Sequence, residues 1–373
     1  MTAENRPRDE ERMRASAGRM RRGRRTARDL IFSIGAVLTL SAGAATAEVN
    51  DAPLTEGWAP SEWGPDDLVG AVNRTTPELV LRAVGLVKRG KVATLGKVYA
   101  GDAPAFGSRG WRMTIPGLPT GGPFGSQQLV YNDAYLSAEI GQIGTRFGGP
   151  GHIGVITSEG PYFYNGRISA RRSGSNVYGL GPLGVEHVAE KGFVCRGVLL
   201  DAVAFRGGDL PVPIEDDPLL IGVVTADDVE SMVAAMGIDP IGEGDCVFLH
   251  TGHDHIWHPD DWNKFDAAER AARTASFDAA APGFGISACE YLAERGIILT
   301  GADNWAVEAV PGENADKPFE CHIQMQTRRG IWNLENLDLT RLVEDGVGEF
   351  LFVWSPLKMQ GATGSPGNPV ALY

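Results

Sequence analysis

Gly197-Val198-Leu199-Leu200-Asp201-Ala202-Val203 is the stretch that decides the fold class. It is a continuous apolar run with no polar alternation, the pattern of a strand covered on both faces. Such a strand needs helices packed around it, and the flanking sequence supplies them. Thr225-Ala226-Asp227-Asp228-Val229 opens a helix that carries Val229, Met232, Val233 and Met236 on one face. Cys246-Val247-Phe248-Leu249-His250 reads as a second strand. Residues 287–295 read as a helix stopped by Gly296, followed by the strand Ile297-Ile298-Leu299-Thr300. A helix over 337–345 and a late strand, Phe350 to Trp354, complete the alternation. Upstream, Thr76-Pro77-Glu78 caps a helix through Val84, and short β-like runs start at Leu129 and Ile153. Residues 101–128 are rich in Gly and Pro and read as a long loop. No linker or change in composition follows residue 50, so residues 48–373 are expected to form one α/β domain.

Composition narrows the classes further. The chain has 373 residues, 43 % hydrophobic and 22 % charged, which is globular and not disordered. Its 49 glycines are about twice the usual share, so loops and close backbone approaches are plentiful. The net charge of −13 is unevenly spread. Residues 1–47 hold ten Arg against five acids and carry +5, which leaves −18 for the remainder. A basic run, an apolar stretch over 30–45 and then Ala45-Thr46-Ala47 is the pattern of an export signal peptide with its cleavage site. The stretch is shorter than the ~20 residues a spanning helix needs. An uncleaved anchor is the other reading. Arg24-Arg25 ahead of it suggests twin-arginine export. The expected location is therefore periplasmic or secreted, with no stable membrane insertion after cleavage. A mature domain at −18 repels phosphate, which excludes nucleic acid as a partner. Of the four cysteines, Cys195 and Cys246 begin or lie inside apolar runs, where buried thiols are expected; export nevertheless permits disulfides.

Chemical side chains concentrate in three segments. The first, residues 141–152, gathers Gly141, Gly144, Gly148, Gly149 and Gly151 around one titratable base, His152. The second, His250-Thr251-Gly252-His253-Asp254-His255-Ile256-Trp257-His258, holds four of the seven histidines. Neutral imidazoles there could bind Zn²⁺, but the spacing fits no established ligand pattern, and a polar loop at a pocket rim is the expectation. The third is Glu320-Cys321-His322 with Glu335-Asn336, where a His and a carboxylate could act as base and orienter or ligate a metal.

Taken together, these segments resemble the cyclase-like amidohydrolase family that includes bacterial kynurenine formamidase and isatin hydrolase. The resemblance spans residues 63–373. It runs through Trp63-Gly64-Pro65-Asp66-Asp67, Gly70-Ala71-Val72-Asn73, Arg196 to Asp201, Gly244-Asp245 before His250-Thr251-Gly252, Leu292-Ala293-Glu294-Arg295-Gly296 with Gly301-Ala302-Asp303, and Glu335-Asn336-Leu337. It implies the family's swivelling β/β/α fold and a homodimer or homotetramer with sites near subunit contacts, so that 101–128 would be a lid or a partner-contacting arm.

The family signature is His-x-Gly-Thr-His-x-Asp-x-x-x-His, followed much later by a His and a Glu. Its first two His, the Asp and the late pair hold Zn²⁺ or Mn²⁺, and the signature's last His is the acid/base. Here Gly144 and Thr145 match, His152 takes the acid/base position, and His322 and Glu335 match the late pair. Gln142, Arg146 and Gly148 stand where the other three ligands would be. A metal, if bound, would be left with His152, His322 and Glu335, so no cofactor is expected despite the Zn²⁺ or Mn²⁺ the resemblance carries. Arg146 offers instead a fixed positive charge and a fork of donors. The expectation is that Arg146, held by Glu335, polarises the substrate carbonyl, Gln142 adds a donor, and His152 activates water. Thr145, Trp111, Phe124 and Trp257 are the candidate substrate contacts. The reaction implied is hydrolytic opening of a small lactone, lactam, imide or formamide. A non-catalytic small-ligand binder of the same fold is the alternative, as is a hydrolase with a rearranged metal site.

Overall fold

The computed structural model describes residues 49, 51–52, 54, 57–168 and 179–373, and the expected export segment lies outside them. Within Val49–Tyr373, which forms one unit, the apolar runs become a nine-stranded mixed sheet. Its strands are β1 (Val92–Thr94), β2 (Arg146–Gly148), β3 (Phe193–Asp201), β4 (Cys246–His250), β5 (Leu299–Ala302), β6 (Trp332–Glu335), β7 (Glu349–Trp354), β8 (Gly364–Pro366) and β9 (Val370–Leu372). Their order across the sheet is β1-β9-β7-β3-β4-β5-β6-β2-β8. The central four, β3 to β6, are parallel, and the strands that flank them are antiparallel.

The run that opened the reading lies at the centre, paired with β4 on one side and β7 on the other. Val198, Leu199 and Leu200 are buried. Gly197 is required by a close approach, since a Cβ there would stand 2.4 Å from the Phe350 ring. The strand stops at Asp201, two residues earlier than the apolar run suggests. Its carboxylate accepts a hydrogen bond from Ala204 N (3.1 Å) and turns the chain into the short helix Ala202–Arg206.

Helices cover the sheet where the sequence places them. Pro77–Val84 is capped by Thr76, which accepts from Leu79 N. Ala226–Met236 starts with a capping box formed by Thr225 and Asp228, buries Val229, Met232 and Val233, and stops at Gly237 with φ +63°. Ile286–Glu294 follows its expected bounds within a residue. The last helix is shorter than expected, Thr340–Glu344, because the Leu337 and Asp338 N–H groups are given to Ala302 O and Leu95 O (2.9 Å each) instead of a helical turn.

Two expectations are corrected. Residues 101–128 are not a plain loop, because Trp111–Thr114 pairs with Tyr135–Ala138 and Gly121–Phe124 with Leu129–Tyr131. The result is an arm of two β-ribbons outside the main sheet, exposing Leu118, Phe124, Tyr135 and Leu136. Proline and glycine hid these strands, and alternation could not reveal them because most of their residues are exposed. The cysteines, secondly, are not thiols. Cys195 on β3 is bonded to Cys246 on β4 (Cα–Cα 6.3 Å), and Cys289 to Cys321 (5.7 Å). Burial alone does not separate a thiol from a disulfide; adjacency of β3 and β4 does, and it is a tertiary fact.

Replacing Cys195 and Cys246 together by Ala is expected to lower unfolding free energy by about 2–4 kcal/mol. Urea denaturation in the absence of reductant measures it, and a wild type equally stable with and without reductant would contradict the pairing's contribution.

Candidate functional site

The site grows from one cross-strand pairing. Antiparallel register sets Arg146 on β2 directly opposite Glu335 on β6, with side chains on one face. Arg146 Nη1 lies 3.1 and 3.2 Å from the two Glu335 oxygens, and both residues are buried, at 1 % and 0 % exposure. Gln142 and Asn333 each direct an amide N–H to Glu335 Oε1 at 3.4 Å. The approach of the two strands is locked one residue away. Thr145 donates its hydroxyl to Asn336 O (2.6 Å) and accepts from Lys97 N (2.8 Å), while Asn336 Nδ2 donates to Gly144 O (3.0 Å). Gly144 makes the turn with φ +131°, where a Cβ would press on the Tyr99 ring.

Two histidines sit above this pair. His322 comes from a short helical turn, Glu320–His322, that leads into the π-helical turn Ile323–Arg328. Its Nδ1 is bonded to Glu308, whose carboxylate also accepts from the His322 and Cys321 backbone N–H groups (3.0 and 3.2 Å). Its Nε2 faces Asn333 at 3.1 Å and Glu335 at 3.8 Å. Burial alone would lower the His322 pKa, but Glu308 and Glu335 outweigh it and hold the value up at about 9. His152 follows the Gly149-Pro150-Gly151 turn and has a buried Nε2 with no hydrogen-bond partner. Burial, then the positive charges of Arg146, His322 and Arg109, push its pKa well below 6.5. Near neutral pH the site thus pairs a neutral imidazole with an imidazolium.

Both imidazoles line a cavity of about 190 Å³. Gln142 and Arg109 complete its polar wall, and Phe106, Trp305 and Phe319 form the aromatic one. Phe106 stacks on Trp305 at 4.6 Å, the Arg109 guanidinium lies 5.2 Å over Phe106, and Phe319 meets His322 edge-on at 5.7 Å. A larger cavity of about 600 Å³, beside Leu199, Met236 and Leu342, has no histidine in its lining.

The structure brings His152, His322 and Gln142 onto one cavity and places Arg146 and Glu335 behind it. Arg146 does not line the cavity, so its action there is through charge and through Glu335, not through contact. The candidate substrate contacts lie elsewhere. Thr145 is spent in the strand clamp. Trp111 stacks on Tyr99 (4.6 Å) at the base of the arm, Phe124 stacks on Tyr131 (6.1 Å) in the exposed ribbon, and Trp257 is buried against Phe277 (5.9 Å). The histidines of 250–258 do not line the cavity either; His253, for example, stacks on Phe277. Sequence reading missed Arg109, Phe106, Trp305, Phe319 and Glu308. Trp305 was within reach, since it closes the loop Asp303-Asn304-Trp305 leaving the carboxyl end of β5, where ligands of parallel sheets bind. Glu308 stood as a lone acid in Val307-Glu308-Ala309-Val310, with no local cue to its partner fourteen residues on.

The donor set does not fit a dication at this centre. Glu335 is taken up by Arg146, His322 by Glu308, and among the described residues His152, His322 and Glu335 do not converge as a ligand group. The groups of potential ligands that do converge use other residues of the same sheet edge.

A mixed α/β sheet with a pocket lined by two histidines at the carboxyl end of its parallel strands defines the class, and comparison places the chain within it. A family model described as "Putative cyclase" matches residues 95–309, more than half of the chain, and the chain belongs to that cyclase family. A solved structure described as a novel cyclase is 27 % identical, with TM-score 0.67 over 84 % of this chain and 96 % of that one. Isatin hydrolase A from Ralstonia solanacearum is 20 % identical, with TM-score 0.51 over 80 % and 98 %. An isatin hydrolase bound to the product analogue thioisatinate is 18 % identical, with TM-score 0.50 over 80 % and 99 %. These two likenesses show the shared fold. Among curated proteins none matches the chain.

Glu335→Gln leaves the Arg146 guanidinium buried without its counter-charge and is expected to cost about 3–5 kcal/mol of stability, read from the urea midpoint. The wild type should also weaken in alkali. His322 has a folded pKa above its unfolded value, so its contribution is complete below pH 6.5 and is lost as pH rises through about 9. A urea midpoint flat from pH 7 to 10 in a Glu308→Gln variant, against a falling one in wild type, assigns that loss to the His322–Glu308 pair.

Proposed function

We propose that the chain is a hydrolase that opens a small cyclic or acyl substrate at a C–N or ester C–O bond, without a metal at the Arg146 centre. The observation that carries this reading is the pairing, on one cavity wall, of His152 with a free Nε2 and His322 held protonated by Glu308. His152 Nε2 takes a proton from water as the water oxygen bonds to the substrate carbonyl carbon. His322 donates a hydrogen bond to the developing oxyanion, then a proton to the departing nitrogen or oxygen as the C–N or C–O bond breaks. His152 then releases its proton to solvent and His322 recovers one, which resets the pair. Arg146 stands in for a metal's positive charge behind the cavity, adding to the burial that keeps His152 neutral and holding Glu335 fixed. Gln142 supplies a further donor on the wall. The aromatic wall of Phe106, Trp305 and Phe319 suits a planar lactone, lactam, imide or formamide. That the same fold carries isatin hydrolases supports hydrolysis as the reaction class.

The setting of the activity is part of the proposal. Two disulfides and the basic-then-apolar segment over residues 1–47 support export to an oxidising compartment, periplasmic or extracellular. The exposed apolar arm, 111–138, supports assembly as a homodimer or homotetramer. The competing reading, a small-ligand binder that has lost turnover, draws on the replacement of three ligand positions by Gln142, Arg146 and Gly148.

A panel of lactones, imides, lactams and formamides, followed by loss of substrate absorbance, tests the reading. Turnover should fall by about 10²–10⁴ in His152→Ala with folding intact. The kcat profile should have an alkaline limb near pH 9, from His322, and an acid limb below 6.5, from His152. Tight binding of a panel member with no turnover establishes the binder instead. Anomalous scattering from a metal between Arg146 and Glu335 would overturn the metal-free centre.

A further inference from the structure

At the carboxyl ends of β4 and β5, one strand over from the Arg146 centre, His250, Asp254 and Asp303 bring one ligand atom each to within 4.8 Å of one another. None of the three belongs to the pocket described above. We propose that they form a divalent-cation site of one imidazole and two carboxylates, open on its remaining positions.

The support behind each side chain is what distinguishes this group from a chance cluster. His250 has its Nδ1 bonded to Asp201 Oδ1 at 2.8 Å, which fixes the ring and leaves Nε2 facing Asp303 Oδ2 at 3.9 Å. A carboxylate on the far nitrogen is the usual orienting partner of a metal-bound imidazole. Asp303 is fully buried, and both of its oxygens are held, the one facing His250 included. Oδ1 accepts from Thr251 N (3.0 Å) and Thr251 Oγ1 (2.6 Å), and Oδ2 accepts from Gly252 N (2.8 Å). Asp254 supplies the independent sign. Its side chain is 93 % buried (7 % exposed), yet its carboxylate makes no hydrogen bond or ion pair among the described residues, and it points into the group. A buried carboxylate without a partner is costly, and a cation is the partner this geometry offers. Metal–ligand bonds of ~2.0–2.2 Å bridge ligand atoms roughly 3–4 Å apart. Asp254 has no other bond to break, so a small rotation closes the set.

Charge points the same way. Asp201, Asp254, Asp303 and Asp338 gather here against His250 and one buried cation, Lys97. Lys97 Nζ is committed to Trp257 O (3.2 Å) and to the Trp257 ring (5.0 Å), and it forms no ion pair with the carboxylates among the described residues. The acidic excess is what a dication offsets. A second convergent group, Asp254 with His258 and Asp338, shares Asp254. Carboxylates with one imidazole suit Mn²⁺ and Zn²⁺ above softer ions.

The test is titration of the purified, metal-stripped protein with Mn²⁺ followed by electron paramagnetic resonance, and with Zn²⁺ by calorimetry. One saturable site per chain is expected. Asp254→Asn should weaken it at least as much as the ~10–100-fold typical of altered outer partners, and Asp201→Asn, which acts only through His250, should weaken it within that range. His152→Gln should leave the affinity unchanged, which separates this site from the hydrolytic pocket whatever the fate of that reading. Circular dichroism confirms that each variant is folded. Absence of stoichiometric binding at millimolar metal overturns the proposal. So does affinity that Asp254→Asn and Asp201→Asn leave untouched, or that His152→Gln abolishes.

Discussion

The Arg146–Glu335 pair is the constraint to which the rest of the pocket is fitted. Removing both charges from water costs several kcal/mol per ion, and attraction repays that only when spare lone pairs and donors are occupied. The surroundings supply partners on the Glu335 side, with Gln142 and Asn333 both directing amide N–H groups to it, whereas Arg146 Nε and Nη2 are buried without a hydrogen-bond partner. Because register places Arg146 directly across from Glu335, the pair is fixed by backbone pairing rather than by flexible side chains. The same charge arrangement then puts two histidines of one cavity in opposite states. Burial and then the Arg146 charge lower the affinity of His152 for a proton, while His322 lies between two carboxylates and keeps one. Burial, one ion pair and one extra carboxylate, Glu308, thus hold identical side chains in opposite protonation states.

Rigidity around the two histidines comes from distant parts of the chain. Cys321 ties the His322 turn to the helix Ile286–Glu294, and Glu308 grips the same turn through two backbone N–H groups. On the other side Thr145 and Asn336 hold the β2 and β6 ends together, at the cost of a left-handed Asn336 (φ +55°). Strain of that kind persists where neighbouring contacts over-determine it. Here it lets a residue beside Glu335 turn back toward the Gly144 loop.

How much of this could be read from the sequence follows from the range of each interaction. Strands β3, β4, β5 and β7 and the helices between them were legible because an apolar run or a capped amphipathic turn is a local signal. The arm was not, since its strands are exposed and interrupted by Pro119 and Pro123, which mimic loop chemistry. His152, His322 and Glu335 were legible through family resemblance, but their states were not, because Glu308 acts on His322 from an apolar segment. The aromatic residues show the same limit. Trp257 stands in the densest histidine cluster of the chain and is buried against Phe277, whereas Trp305, in a bland context, lines the cavity. Residue type names a capacity, and only packing says where it is used.

The three departures from the metal signature are mutually consistent in space, which bears on whether the site is maintained or decayed. Arg146 brings positive charge to the position of a ligand and engages Glu335, so the charge a cation would supply is already present. Gly148 then sits where a side chain would require its neighbours to move. A Cβ there would stand 2.6 Å from Asn333 Oδ1 and 3.0 Å from Gln326 Oε1, beside His152. A carboxylate at that position would confront two carbonyl oxygens instead of a cation. Gln142, in turn, contributes a neutral donor to Glu335, where an imidazole would have to choose between Arg146 and the carboxylate. Random loss of ligands leaves uncompensated buried charge; this set leaves the Glu335 carboxylate matched by a fixed cation and two amide donors. The compensation extends to His152, for the charge that takes a ligand's place adds to the burial that already holds that imidazole neutral.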